Sequence, residues 1–233
     1  MGFLRRHARR AAPFAAACAV MALAGCAPAA APHSPFTATG EVIAMGGGPA
    51  GATRACFTCH GLGGEGDGAF SPRLAALPVG YLQKQLEDYA TGRRPDPVMG
   101  PIAEALSAAD RAAVAAYYAG LPAAADGATR APDPRGEALF RRPRAGQAAC
   151  AACHGEDGAG VGLGNPPIAG QPEAYVVEQL RRWRKGERRN DPLGLMAAAS
   201  RGLTDEQMRT LAGYVAALPP RTAPADAPPA ASP

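Results

Sequence analysis

Large rings are scarce in this chain. Aromatic residues make up 6% of its 233 positions, with a single tryptophan. A core built from so few rings is thin. Lysine is almost absent, with only Lys84 and Lys185. Long apolar runs are missing too: Ala11 to Ala22 is apolar but too short to span a bilayer. The ten residues before it hold Arg5, Arg6, Arg9 and Arg10 and no acid. That order of a basic segment and a short apolar one marks residues 1–25 as an export signal, outside the folded body. The whole chain carries 24 basic and 20 acidic side chains, and loss of those four arginines leaves 20 against 20. A neutral mature chain gives no footing for nucleic-acid binding.

Against these absences stands one motif, present twice. Cys56-Phe57-Thr58-Cys59-His60 is matched in pattern by Cys150-Ala151-Ala152-Cys153-His154. Cys-x-x-Cys-His is the attachment signature of c-type haem. Two thiols three positions apart reach the two vinyl groups of one porphyrin, and the next residue sets an imidazole under the iron. A thioredoxin-like redox pair would need a preceding strand and a βαβ setting. Here the approach is Gly46-Gly47-Gly48-Pro49, and no β-branched run follows. A four-thiolate zinc site would use both pairs, but they lie 94 positions apart and each carries its own histidine. A disulfide within each pair explains neither the histidines nor the repetition.

The repeat extends beyond the cysteines. Tyr81, Gln85 and Leu86 match Tyr175, Gln179 and Leu180 at the same offset of 94, as do Pro78 with Pro172 and Gly92 with Gly186. Three extra residues then shift the offset to 97, which pairs Met99, Leu106, Tyr117, Leu121 and Pro122 with Met196, Leu203, Tyr214, Leu218 and Pro219. The expected organisation is a spacer at 26–39, one unit at 40–122, a linker at 123–134, a second unit at 135–219 and a disordered tail at 220–233. Both units read as all-α. Leu82, Gln85, Leu86 and Tyr89 share one helical face, with Pro78 suiting its first turn. Ser107 to Asp110 and Thr204 to Gln207 are capping boxes opening two further helices. Gly136 would let the helix bearing Tyr214 cross closely. Units of about 80 residues bury little apolar surface. A covalent haem would supply a flat apolar body for helices to pack around, so the haem-free chain should be largely unfolded.

The second axial ligand follows by elimination. The mature chain keeps His33, His60 and His154, and His33 lies in a Pro- and Ala-rich stretch. Two bis-His haems are therefore impossible. Cys18 leaves with the signal, and the remaining cysteines beyond Cys26 are all haem thiols. Both lysines lie among polar helix positions. Methionine remains. Met208 falls on the apolar stripe of a helix and suits a core role, while Met99 and Met196 occupy equivalent places in a loop before each capping box. The expected iron ligands are His60 with Met99 and His154 with Met196. Met/His ligation raises the potential relative to bis-His and fills both axial positions. Each imidazole needs an acceptor for its other nitrogen. The carbonyls of Pro72 and Pro166, matched at the 94 offset, are candidates; ordinary turn prolines are the alternative.

The Leu23-Ala24-Gly25-Cys26 stretch resembles the lipobox of bacterial lipoproteins, in which the cysteine becomes the lipid-bearing first residue. Cleavage among Ala29, Ala30 and Ala31 would instead release a soluble chain. Across residues 50–219 the chain resembles two-haem class I cytochromes c of the cytochrome c4 type. The likeness is carried by Cys150-Ala-Ala-Cys153-His154-Gly155, Ile168-Ala169-Gly170-Gln171, Tyr81-Leu82-Gln83-Lys84-Gln85-Leu86 and the Met-then-helix endings. It implies two tandem cytochrome c folds, two covalent haem c groups, and haem propionate edges close together at the domain interface. It also implies a periplasmic role passing electrons from a dehydrogenase or quinol-oxidising complex to a terminal oxidase or reductase. In the first unit, Leu74-Ala75-Ala76-Leu77 replaces the Ala-Gly-Gln of the second.

Charge is uneven between the units. Residues 40–122 hold 6 basic and 8 acidic side chains, and residues 135–219 hold 12 and 9. Arg181, Arg182, Arg184, Lys185, Arg188 and Arg189 make most of the excess, either as a solvated face or as a docking surface for an acidic partner. The leading expectation is an electron carrier held at a membrane by Cys26, not an enzyme. A dihaem peroxidase, or a thiosulfate- or nitrite-oxidising cytochrome, would need an open iron or an unusual ligand. A third reading is a haem subunit of a larger dehydrogenase or oxidase.

Overall fold

The computed structural model describes residues 2, 39–123, 131–144, 146–162 and 164–221. The export segment, Cys26, most of the spacer, the middle of the linker and the tail from 222 onward lie outside the described residues. Among the described residues there are ten α-helices and no strands; pairing of the β type is confined to two isolated bridges.

Helices α1 (Gly40–Gly46), α2 (Phe57–His60), α3 (Val79–Ala90), α4 (Met99–Ala105) and α5 (Ala108–Gly120) build the first half. Helices α6 (Pro134–Arg141), α7 (Ala151–His154), α8 (Glu173–Lys185), α9 (Leu195–Arg201) and α10 (Asp205–Ala217) repeat that order. In each half the first helix crosses the last, and the third packs on the fourth and fifth.

The termini of these helices follow from their cap residues. Ser107 and Thr204 accept hydrogen bonds from the backbone N–H groups of Asp110 and Gln207, whose side chains accept in turn from the cap N–H groups. Thr39 caps α1 through the N–H of Val42, so a helix forms where apolar patterning alone marks it poorly. Asp133 caps α6, with Pro134 in its first turn.

Two glycines set the crossings. A Cβ on Gly40 would lie 2.1 Å from the carbonyl oxygen of Ala113, and one on Gly136 would lie 2.5 Å from the Cβ of Tyr214. Close approach lets Phe140 and Tyr214 meet at 5.3 Å between ring centroids. Phe140, Met208, Leu211, Tyr214 and Val215 form the buried core of the second half. Ile43, Leu82, Leu106, Val114 and Tyr118 belong to that of the first. Met208 is fully buried in this core.

Substituting Gly136→Ala forces a Cβ into the α6–α10 crossing, where backbone as well as side-chain atoms oppose it. The expected loss is about 2–3 kcal/mol, read as a lower denaturation midpoint of the haem-loaded chain.

Candidate functional site: a repeated haem-attachment turn and the interface between its copies

Each Cys-x-x-Cys-His segment is a single helical turn. Cys56 precedes α2 and Cys150 precedes α7, and the His60 and His154 N–H groups each donate to the carbonyl of the first cysteine at 2.9 Å. One turn therefore carries both thiols and the imidazole. The chain then reverses through glycines. Gly66 donates to His60 O and Gly160 to His154 O, each at 2.7 Å. Both glycines have positive φ, and a Cβ on either would come within 2.7 Å of a carbonyl oxygen of the returning loop. Only glycine permits that approach.

The returning loops bring Pro72 and Pro166 under the imidazoles. The Nδ1 of His60 lies 2.9 Å from Pro72 O, and the Nδ1 of His154 lies 2.9 Å from Pro166 O. A carbonyl can only accept, so Nδ1 carries the proton and donates it. The lone pair is thereby left on Nε2 of each ring. Burial lowers the pKa of both histidines, although the proline carbonyls oppose that shift. A neutral, oriented imidazole is the form that ligates a metal.

Cys56, Cys59, His60, Pro72 and Met99 line one cavity of about 970 Å³, walled by Leu77, Tyr81, Leu82, Leu106 and Val114. None of the four described cysteines is bridged. No three His, Cys, Asp or Glu side chains converge among the described residues, so the two thiol pairs do not build a zinc cluster. Pro166 reaches the same cavity from the second half, while Cys150 packs at the edge of the second core. Met99 and Met196 are both half-buried. They sit not in loops but at the starts of α4 and α9, because an upstream aspartate organises each start. Asp96 accepts from the Met99 N–H at 2.9 Å, and Asp191 accepts from the Met196 N–H.

The far wall of the cavity is the interface between the halves, and its chemistry is polar. Arg94 donates to Gln85 and Gln179, both at 2.9 Å. Arg188 donates to the same two amides, at 2.8 Å to Gln179 and 3.1 Å to Gln85. The guanidiniums stack over Tyr89 and Trp183 at 4.6 and 4.5 Å. All three pairs obey the 94 offset, so the interface is a pseudo-two-fold arrangement of two copies of one device. Arg94 also donates to the Tyr175 hydroxyl at 3.0 Å. Burial disfavours its charge, but Tyr175, Tyr89 and Tyr81 outweigh that and raise its pKa. On the other side Asn190 joins Gln85 to Asp88, which pairs with Lys84. Arg73 and Gln171 exchange backbone and side-chain bonds across the same boundary.

Sequence reasoning passed over Arg94 and Gln85 as site residues. The available signal was polar residues recurring at one offset, Gln85 with Gln179 inside a helix and Arg94 with Arg188 just beyond it. It also read the Arg181–Arg189 run as a surface patch. The structure uses much of that run internally: Arg182 binds Asp96 at 2.9 Å, Arg188 is buried, and Arg181 and Arg184 share Asp205.

A porphyrin fits this site. The cavity joins apolar walls to two unbridged thiols and a buried imidazole. Its interdomain side offers buried cationic donors, and Nε of both Arg73 and Arg94 has no partner. A flat apolar ring with two carboxylates has that polarity pattern.

The cytochrome c family matches twice, over residues 48–121 and 135–219. The chain belongs to that family, as a dihaem protein of the cytochrome c4 kind carrying two covalently bound haem c groups. It is 42% identical over 185 residues to a thiosulfate dehydrogenase electron acceptor of Stutzerimonas stutzeri, covering 77% of this chain and 86% of the relative. It is 34% identical to cytochrome c4 of Thiocapsa roseopersicina, covering 73% and 91%. Among solved structures, the thiosulfate dehydrogenase TsdBA of Marichromatium purpuratum superposes with a TM-score of 0.69 at 40% identity. That match covers 79% of this chain but spans only 40% of the larger one. Reduced cytochrome c4 of Pseudomonas stutzeri matches at TM-score 0.65 and 31% identity, covering 74% of this chain and 98% of that one. The protein is thus a dihaem cytochrome c electron carrier. No described helix is long and apolar enough to cross a membrane.

Gln85→Leu would strand donors of Arg94, Arg188 and Asn190 at once. A loss of about 2–4 kcal/mol is expected, read by urea denaturation of the haem-loaded chain, with the two haem spectra retained in the folded state.

Proposed function

We propose that this cytochrome accepts electrons from a thiosulfate-oxidising dehydrogenase and passes them to a terminal oxidase or reductase. The observation carrying this reading is the 42% identity to a thiosulfate dehydrogenase electron acceptor over most of both chains. Identity to cytochromes c4 is lower, at 34% or below.

In this reading Cys56 and Cys59 hold the first haem, and Cys150 and Cys153 hold the second. His60 with Met99, and His154 with Met196, ligate the irons. Haem, when bound, supplies a one-electron iron couple. The chain's own residues do the rest. Pro72 and Pro166 fix the imidazole tautomer and ring angle. Asp96 and Asp191 hold the starts of α4 and α9, and with them the two methionines. Leucine, tyrosine and valine side chains keep water from the ring. The Arg94–Gln85–Gln179–Arg188 cluster ties the domains into one body and would offer its buried positive charge to haem carboxylates.

Two saturated irons suit outer-sphere transfer, so partners need only approach the exposed edges. Val98 is exposed beside Met99, and Leu193 and Leu195 are exposed beside Met196. These small apolar surfaces suit brief docking. Export to the periplasm by residues 1–25 and anchoring through Cys26 would hold the carrier near a membrane-bound acceptor.

Purified chain mixed anaerobically with a thiosulfate dehydrogenase and thiosulfate should be reduced on the timescale of enzyme turnover, followed by stopped-flow absorbance. Failure of the enzyme to reduce it, while a quinol-oxidising complex does, would replace this reading with that of a general respiratory carrier. Met99→Ala and Met196→Ala should each abolish one upfield-shifted methionine methyl resonance and lower one midpoint potential. Met208→Ala should keep both resonances and cost about 2–5 kcal/mol of stability.

A further inference from the structure

The two attachment turns are close copies, yet one neighbour of the first has no counterpart in the second. Tyr118, on the inward face of α5, is 2% exposed. Its hydroxyl is sealed from solvent and meets no nitrogen or oxygen partner; the Cys56 sulfur is the polar atom beside it. A buried hydroxyl without a nitrogen or oxygen partner is destabilising. Such a group calls for an explanation.

The surroundings of the ring point to one. Tyr118 lines the same cavity as Cys56, Cys59, His60 and Met99. Its hydroxyl lies beside the Cys56 sulfur: burial raises the pKa of the phenol, and Cys56 adds to the shift. Space for the ring is built in. Gly64 adopts positive φ, and a Cβ there would lie 2.7 Å from Cδ1 of Tyr118. Tyr117 supports the ring edge-on at 5.1 Å between centroids. Tyr118 is therefore held by the turn that follows the first attachment motif, with its polar end toward the first attachment sulfur.

At the 97 offset, Tyr117 corresponds to Tyr214 and Tyr118 to Val215. Val215 is buried in the second core in the same way but carries no donor. Three pairs at the boundary between the domains are equivalent: Gln85 with Gln179, Tyr89 with Trp183, Arg94 with Arg188. Position 118 breaks that equivalence next to a haem thiol.

We propose that Tyr118 sets the two haems apart in potential: its hydroxyl donates toward the Cys56 sulfur and the porphyrin edge bonded to it. A donor aimed at the haem periphery stabilises the more electron-rich ferrous state. It therefore raises the potential of the first haem, while Val215 leaves the second without that contribution. In a carrier fed at one end, such a step gives the electron a preferred resting haem. Tyr118 acts here as a positioning residue that tunes the cofactor through its sulfur, not as a group in contact with a substrate. This inference rests on attachment of the first haem at Cys56 and Cys59.

The test is a redox titration of the full haem-loaded chain and of Tyr118→Phe, with each haem followed by its own methyl resonances. The phenylalanine keeps the ring and loses only the hydroxyl. The first haem's one-electron equilibrium should shift about threefold toward the ferric state, or about 28 mV at 59 mV per tenfold. The second haem should shift by less than a third of that. An unmoved first haem, or equal movement of both, overturns the proposal. Tyr118→Val supplies the control: a shift seen with valine but not with phenylalanine assigns the effect to ring packing and also overturns it. A mass showing one haem instead of two on the unsubstituted chain would remove both this inference and the attachment reading beneath it. Two haems with unshifted potentials would remove this inference alone.

Discussion

The hydrogen bond from a buried histidine Nδ1 to a proline carbonyl is the constraint on which the rest of this structure depends. It occurs twice, at 2.9 Å in both halves. Each bond requires a helical turn to carry the imidazole, a reversal to return the chain, and a proline whose carbonyl faces inward. The reversal in turn requires glycine, because the returning carbonyl stands where a Cβ would be. A short sequence thus commits about a dozen residues of backbone to presenting Nε2 and two thiols on one surface. The helices that follow are arranged around that surface.

The interface between the domains answers a second constraint. Two guanidiniums are buried there, and burial of an unpaired charge is costly. The chain shares each arginine between two glutamines and lays it over an aromatic ring. The neutral amides accept from the terminal guanidinium N–H groups without cancelling the charge. What remains is buried positive charge at the domain boundary, with Arg94 on the wall of the cavity. Because each arginine bonds to both domains, these contacts fix the domains relative to each other.

Much of this could be read from residues alone. The doubled Cys-x-x-Cys-His, the capping boxes at Ser107 and Thr204, and Gly136 before Phe140 are local signals, each tied to a local physical requirement. The resemblance to cytochromes c4 agreed with them and with the family match. Less legible was whatever depends on two distant segments meeting. Arg94 carries no local signal, because its role depends on α8 supplying Gln179 and Tyr175. Arg182 and Arg188 looked like surface charge, but burial at an interface converts a basic run into structural donors. The starts of α4 and α9 were hidden because Asp96 and Asp191 act from outside the first turn, where no capping box marks them. The apolar spacing of a helix does not reveal whether the hydroxyl of Tyr118 finds a partner.

Covalent haem as the organising body of both domains is the claim on which the account stands. It is tested most directly by preparing the same mature chain with and without haem-attachment machinery and comparing far-ultraviolet circular dichroism, with haem counted by mass. The account predicts two haems and a cooperative helical fold in the first preparation, and a largely unfolded chain in the second. A haem-free chain with equal helicity and equally cooperative unfolding would contradict it.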